Sequence, residues 1–272
     1  MITRELDIVI VSFNTRADLL TCLGSLSANR PRDLRRVIVV DNGSPDGSAG
    51  AVRTQFPDVD VVALDENAGF AAANNIGLRR ATAPLVLLLN SDTIVPAGAI
   101  EILVDRLLAS GAVAAGPRLI DGRGRPEVSF GPMLSPAAEF VQRTRVRLAA
   151  RDSALARRYV TRLVSRERDV DWVSGACLLV RRAEAIAAGL LDERFFMYEE
   201  DVDFCAALRA RGGRILFTPA SEVTHLRGRS VKGARAGPSH YDRSHVAFYE
   251  KHRPGWAPWL RLWLRVRGRA IR

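Results

Sequence analysis

Cysteine is scarce in this 272-residue chain: Cys22, Cys177 and Cys205 are scattered, with no Cys-x-x-Cys spacing. An odd set of this kind argues against a disulfide framework or a cysteine zinc site, and it suits a reducing compartment. No apolar run reaches the roughly 20 residues that a membrane-spanning helix needs. The polar residues 1–5 lead straight into Leu6–Val11, without a signal-peptide pattern. The Gly-rich dinucleotide fingerprint and the phosphate-loop signature are both missing. So are internal repeats, long low-complexity segments and the aromatic signature of an RNA-binding sheet. What is present, 47% hydrophobic and 26% charged residues, suffices for one large domain or one domain with a sizeable insertion.

The net charge of +10 is unevenly spread. Residues 143–168 hold nine arginines against Asp152 and Glu167, and residues 251–272 hold seven Lys or Arg and no acid. The rest of the chain is mildly acidic. Basic segments on such a body point to an anionic partner at a defined surface: lipid headgroups, a diphosphate or nucleic acid. An arginine-rich genome would leave the same mark.

Hydrophobic patterning alternates short strands with helices. Leu6–Val11, Val37–Val40, Val59–Leu64, Leu85–Leu89 and Val113–Ala115 read as buried strands. Arg16–Ala28, Ala71–Ala81 and Pro96–Leu108 have helical periodicity. Without tight hairpins, this order predicts an α/β fold with a mixed, mostly parallel sheet covered on both faces. Asp121–Pro136 reads as a loop, Ala137–Val164 as Arg/Ala-rich helix, Val173–Val180 as a strand, Val202–Ala210 as a helix and Ile215–Thr218 as a strand. Leu226–Ser239 reads as a mobile loop.

In such sheets ligands sit beyond the strand carboxyl ends. Asp41, Asn67 and Asp92 follow the second, third and fourth strands and are expected on one rim. Asp41 suits a nucleobase or ribose, although an Asp in Asp41-Asn42-Gly43-Ser44 also suits an Asx-turn. Asp92, ending Asn90-Ser91-Asp92, suits a divalent cation shared with diphosphate oxygens, the alternative being a helix N-cap. His225 follows the strand-like Ser221–Thr224; a neutral imidazole there suits the same cation, though an isolated His is more often structural. Phe195-Phe196-Met197-Tyr198-Glu199-Glu200-Asp201-Val202-Asp203 sets four carboxylates within five residues. Such a cluster serves a general base or a cation, or else marks a solvated helix start.

Taken in order, Val11–Asn14 (VSFN), VVDNGS, Asn67-Ala68-Gly69-Phe70, Asn74-Asn75-Ile76-Gly77, LNSD, Trp172-Val173-Ser174-Gly175-Ala176, FFMYEEDVDF and His225 resemble a family 2 glycosyltransferase with the GT-A fold. The likeness runs from about Asp7 to about His252 and is greatest to the bacterial rhamnosyltransferase-like branch. It implies a GT-A domain over residues 1–250, in which the Arg-rich helical stretch at about 133–168 reads as an insertion; residues 251–272 read as a basic amphipathic C-terminal helix. It also implies inverting transfer of a sugar, L-rhamnose in that branch, to a hydroxyl in cell-surface polysaccharide synthesis. Asp201 then stands at the base position, with Glu200 beside it. Ser12, Asn14, Asp41, Asn67, Asn74, Asn90, Ser91 and Asp92 stand around the donor. Trp172, Gly175, Ala176 and Asp203 stand at the sugar and acceptor pocket, and Asp92 with His225 at a Mg2+ or Mn2+ ion.

Two positions depart from the family pattern. Asn90 replaces the first carboxylate of the metal motif, which puts more weight on His225 and the diphosphate. Asn74 stands where uridine-nucleotide members often carry Arg, which favours a dTDP-sugar over a UDP- or GDP-sugar. The acceptor is expected to be a glycan or polyprenyl-diphosphate-linked sugar, a small molecule or protein being the alternative. A nucleotidylyltransferase would need glycine in Ser12–Arg16, and there is none. A nucleic-acid-binding role leaves the acidic rim unexplained, so no nucleic-acid partner is expected.

Residues 256–272 are expected to form an amphipathic helix. Trp256, Trp259, Leu260, Trp263 and Leu264 share one face, widened by Leu262 and Val266, with Arg261, Arg265, Arg269 and Arg272 opposite and Arg267 inside the apolar arc. Three Trp beside arginines suit a membrane surface, which points to a cytoplasmic enzyme peripheral at the inner face of the cell membrane. Packing on the protein's own core is the alternative.

Overall fold

A computed structural model describes residues 4–151, 153–226 and 238–269. Most of the loop expected at Leu226–Ser239, and Arg272, lie outside the described residues. The elements run β1 (Leu6–Ser12), α1 (Arg16–Ala28), β2 (Leu34–Asp41), α2 (Ser48–Gln55), β3 (Asp60–Ala63), α3 (Phe70–Arg80), β4 (Leu85–Asn90), β5 (Thr93–Ile94) and α4 (Ala99–Ser110). They continue as β6 (Ala114–Ile120), β7 (Phe130–Gly131), α5 (Pro136–Ala150), α6 (Ala154–Leu163), β8 (Arg168–Val170), β9 (Trp172–Val173), β10 (Cys177–Arg181) and α7 (Arg182–Ala187). The chain closes with α8 (Glu200–Ala210), β11 (Ile215–His225), α9 (Pro238–His252) and α10 (Ala257–Val266).

The main sheet has the order β3-β2-β1-β4-β10-β6-β11-β5, with β8 also on β11. Strands β3, β2, β1 and β4 pair in parallel, and β10 is antiparallel to both β4 and β6. Alternation along each strand feeds two cores. Ile8, Ile10, Leu85, Leu87 and Leu89 face α1 and α4, while Val9, Val11, Val86 and Leu88 face α3 and α8. Burying each such side chain contributes about 1.5–3 kcal/mol. Gly77 lets α3 lie directly on β1, because a Cβ there would strike the Val9 side chain. The strand ends on this packed sheet form the rim that carries Asp41, Asn90 and Asp92.

Several elements differ from the sequence pattern. Val173–Val180 is two strands, since Ser174–Ala176 turn the chain between β9 and β10. Ala137–Val164 is two helices, the second restarted by Ser153, whose side chain accepts a hydrogen bond from the Ala156 amide. The loop at Asp121–Pro136 contains β7, which pairs with β9. Ser221–Thr224 belongs to one long strand with Ile215–Thr218, interrupted by an irregularity before Glu222.

The expected C-terminal helix spans Ala257–Val266, and its apolar arc divides. Ala257 and Leu260 turn inward onto a small core with Phe195, Val202, Phe248 and Tyr249, and Leu264 is buried as well. Trp259, Leu262 and Val266 stay 66%, 51% and 80% exposed. Trp263 is exposed as well and carries the Arg267 guanidinium 4.2 Å from its ring centre. Among the described residues no helix is long and apolar enough to cross a membrane.

Candidate active site

Asp92 follows β4, and its backbone oxygen accepts from the Leu226 amide. His225 ends β11 opposite Thr93. Its Nε2 lies 3.3 Å from Asp92 Oδ1, and its Nδ1 lies 3.4 Å from Glu127 Oε2. Burial alone would lower the His225 pKa. Its contacts with Asp92 and Glu127 outweigh that and raise it to about 9.

This corner fits a divalent cation in its donor chemistry. Asn90 Oδ1 is buried without a hydrogen-bond partner, and Asp92 Oδ1 is buried with the His225 imidazole beside it. They offer hard oxygen ligands, and an imidazole that gave up its proton would add a nitrogen. Among the described residues no three Asp, Glu, His or Cys converge on one point, so Asp92 and His225 alone would leave positions for diphosphate oxygens and water.

The acidic segment lies across the same rim. Asn90 N donates to Ala176 O at 3.0 Å, and the Gly175 amide donates to Asp201 Oδ2 at 2.8 Å. A Cβ at Gly175 would come within 3.1 Å of Asp201 Cβ, so glycine permits this approach. These two bonds tie the strand end next to Asp92 to the first turn of α8. Burial is the main cause that raises the Asp201 pKa, against the lowering bonds from Gly175 and Val202. Glu200 is pushed well above the ordinary range by burial and by the Asp201 charge, and its Oε2 has no partner. The two carboxyls share one electrostatic site that favours holding a proton.

The other predicted residues are placed as follows. Ser12 Oγ and Ser91 Oγ each lie 2.9 Å from Thr15 Oγ1, forming a buried hydroxyl chain. Asn14 has φ +54, and its amide donates to Ser44 Oγ at 3.0 Å. Asp41 ends β2 and accepts from the Ser44 amide at 2.8 Å, so the Asx-turn accounts for one of its oxygens. Asn67 Oδ1 accepts from Asn42 Nδ2 and the Gly69 amide, both at 2.9 Å. Asn74 is buried in α3 and donates to Phe70 O, within its own helix, at 2.9 Å. Trp172 lies against Gly131 and donates to Pro132 O at 2.9 Å.

Asp203 is set apart from this group. It is buried, and its Oδ1 lies 2.8 Å from Lys251 Nζ and 2.6 Å from His252 Nε2. Two positions after Asp201 on a helix, it faces α9 rather than Gly175. Sequence reasoning also passed over Glu127, 98 residues from His225. An acid in a loop otherwise rich in Gly, Pro and Arg was its only signal.

The family model "Glycosyl transferase family 2" matches residues 7–164. The N-acetylglucosaminyl-diphospho-decaprenol L-rhamnosyltransferase of Mycobacterium tuberculosis is 30% identical, over 97% of this chain and 90% of its own length. The O-antigen biosynthesis protein RfbC of Myxococcus xanthus is 27% identical over 93% of this chain, which spans 19% of that longer protein. The crystal structure of GalNAc-T7 with UDP, GalNAc and Mn2+ superposes with a TM-score of 0.64 over 90% of this chain and 47% of that one, at 17% identity, a likeness of GT-A fold alone. The chain is a GT-A glycosyltransferase that belongs to glycosyl transferase family 2, and within it is similar to the rhamnosyltransferase-like branch.

Proposed function

We propose that this enzyme moves a sugar, L-rhamnose in the favoured reading, from a nucleotide-diphosphate donor to a hydroxyl of a lipid-diphosphate-linked glycan, with inversion, in cell-surface polysaccharide synthesis. The observation that carries the reading is the Asp201 carboxylate, held at the Gly175 amide and linked through Ala176 to the strand end next to Asp92 and His225. A base and an anion-neutralising corner on one rim are what such a transfer needs. Asp201 takes the proton of the acceptor hydroxyl, whose oxygen attacks the anomeric carbon as the bond to the diphosphate breaks. Glu200 shares the buried site with Asp201, and burial together with their mutual repulsion favours proton uptake by the pair. Asp92 and His225 would hold a Mg2+ or Mn2+ ion, which when bound supplies positive charge to the departing diphosphate.

The nucleotide is assigned to dTDP. Asp41 and Asn74 lie on the elements bordering the β1–β2 end of the rim, and Asn74 brings no cationic side chain there. A thermal-shift panel with Mn2+ is expected to rank dTDP above UDP and GDP. A ligand at 100 times its Kd stabilises by about 2.7 kcal/mol, enough to separate them. If GDP stabilises most, the nucleotide assignment is wrong.

A lipid-linked acceptor calls for a protein that works at the inner membrane face. The exposed face of α10, with Trp259, Leu262, Trp263 and Val266, suits the headgroup boundary. Each basic residue near an anionic surface adds about 1 kcal/mol. The full chain is expected to float with anionic vesicles and not with zwitterionic ones. The double variant Trp259→Glu, Trp263→Glu, which spares the packed Leu260 and Leu264, is expected to stay at the bottom of the gradient. Equal flotation of both, or of neither, removes the membrane from this reading.

A further inference from the structure

Helix α9 runs alongside the catalytic segment and grips it repeatedly. Ser244 Oγ donates to Met197 O at 2.7 Å, and the His240 ring stacks on Phe196 at 5.0 Å. His245 Nδ1 reaches Glu199 Oε1 at 2.6 Å, and Lys251 and His252 hold Asp203. Between these grips, Tyr198 and Glu199 are both left-handed, with φ +74 and +65. Neither residue is glycine, so this backbone costs free energy and persists only where its surroundings fix it. Glu199 is also the N-cap residue of α8, and its backbone oxygen accepts from Asp203 N at 2.9 Å. Any relaxation of the turn therefore moves the first turn of α8, which carries Asp201.

The groups around His245 form a closed set. Glu199 faces it from the start of α8, and Glu139 Oε2 faces it from α5 at 3.2 Å. Arg143 Nη2 lies 2.9 Å from the same Glu139 oxygen, and Tyr249 donates its hydroxyl to the other. Tyr241 stacks on the imidazole at 5.4 Å, and burial pushes its pKa up to about 12, so it stays neutral. His245 is 3% exposed. Burial would lower its pKa, but the bonds to Glu139 and Glu199 outweigh this and raise it to about 9. Burial raises Glu199, and the bond to His245 partly offsets that rise. The contribution of the imidazolium is fully present below its unfolded pKa and is lost as pH rises through about 9.

We propose that His245 is a positioning residue for the base: through Glu199 it fixes the left-handed turn ahead of α8, and its positive charge shields Asp201 from the glutamate two residues before it. The inference rests on Asp201 being the base. It also gives the α5 segment a part in catalysis, since Glu139 completes the cage around the imidazole.

The two charges predict opposite shifts, which a purely structural contact would not produce. In His245→Gln, an unshielded Glu199 raises the Asp201 pKa. The acid limb of kcat/KM is expected to move up by about one pH unit. The loosened turn is expected to lower kcat roughly tenfold or more, with donor KM within about twofold. In Glu199→Gln, the glutamate charge near Asp201 is gone while the imidazolium stays in place beside Glu139, so the Asp201 pKa falls and the acid limb is expected to move down. Melting curves with and without nucleotide diphosphate identify folded variants. If His245→Gln does not fold, the direction in Glu199→Gln decides. Acid limbs unmoved, or moved the same way, in folded variants overturn the proposal. Failure of the base reading itself is separate, because Asp201→Asn would then keep its turnover.

Discussion

Asp201→Asn is expected to lower turnover by about 10²–10⁴-fold, the range that general-base assistance supplies, while the protein stays folded and binds nucleotide diphosphate. Two effects on stability oppose each other. Burial raises the Asp201 pKa above its unfolded value, so the ionised carboxylate costs stability as pH rises through the folded pKa, and asparagine removes that cost. Asparagine, however, can accept from only one of the Gly175 and Val202 amides that the carboxylate now serves. The melting temperature is therefore expected to change by a few degrees at most. Acceptor-dependent sugar transfer at saturating donor measures the loss, and a melting curve measures the fold. Turnover near wild type would remove Asp201 from the role of base. Glu200→Gln is the informative companion: it leaves the bond from Gly175 in place but removes a charge coupled to Asp201. Its main effect is expected on the acid limb of the pH profile.

The sheet and its rim were legible because their cause is local. Runs such as Ile8–Val11 and Leu85–Leu89 are apolar at every position, which only a strand covered on both faces tolerates. The polar residue that ends each run marks the rim, as Asp41 and Asn90 do. Helix α1 was legible from Leu19, Leu23 and Leu26, all of which are buried. Helix α2 was not, since Ala51 and Val52 are its only buried apolar residues. Helix α9 carries His240, Asp242, His245 and His252 among its residues, and no apolar stripe announces it.

The candidate site was legible where one short segment carries its residues, and not where distant segments meet. The acidic run pointed to Asp201 and Glu200 as candidates, but periodicity could not separate Asp203, which the helix turns toward Lys251 and His252. The run 173–180 looks continuous by hydropathy. Its Ser174–Ala176 turn is what presents the Gly175 amide to Asp201. Glu139 and His245 meet across 106 residues of chain, and no pattern on either side predicts the contact. Helix α10 shows the same limit in another form. Its apolar positions are evident, yet only the packed structure divides them between Leu260 and Leu264 inside and Trp259 and Trp263 outside.

Removing divalent metal is expected to abolish sugar transfer, and Mn2+ or Mg2+ is expected to restore it. The basis is the corner where Asn90 Oδ1 is buried without a partner and the buried Asp92 Oδ1 lies 3.3 Å from His225 Nε2. Three substitutions should give graded results. Asp92→Asn removes the only carboxylate at the end of β4, and is expected to leave no transfer at any metal concentration. His225→Gln removes the nitrogen but leaves Asp92, and is expected to need far more Mn2+ for half activity. Glu127→Gln touches the ion only through His225. A partner of that kind is worth about 10–100-fold in metal affinity, so excess Mn2+ is expected to return its turnover to near wild type. Proton linkage gives an independent reading, because His225 holds its proton until about pH 9 and must release it to bind metal. Calorimetry in buffers of different ionisation heat is expected to show about one proton released per ion at neutral pH, and less in His225→Gln. Metal-free His225⁺ stabilises the fold below its unfolded pKa, and that contribution fades as pH rises through about 9. Full transfer in excess chelator, or equal metal affinity in all three variants, would remove Asp92 and His225 as the ligands.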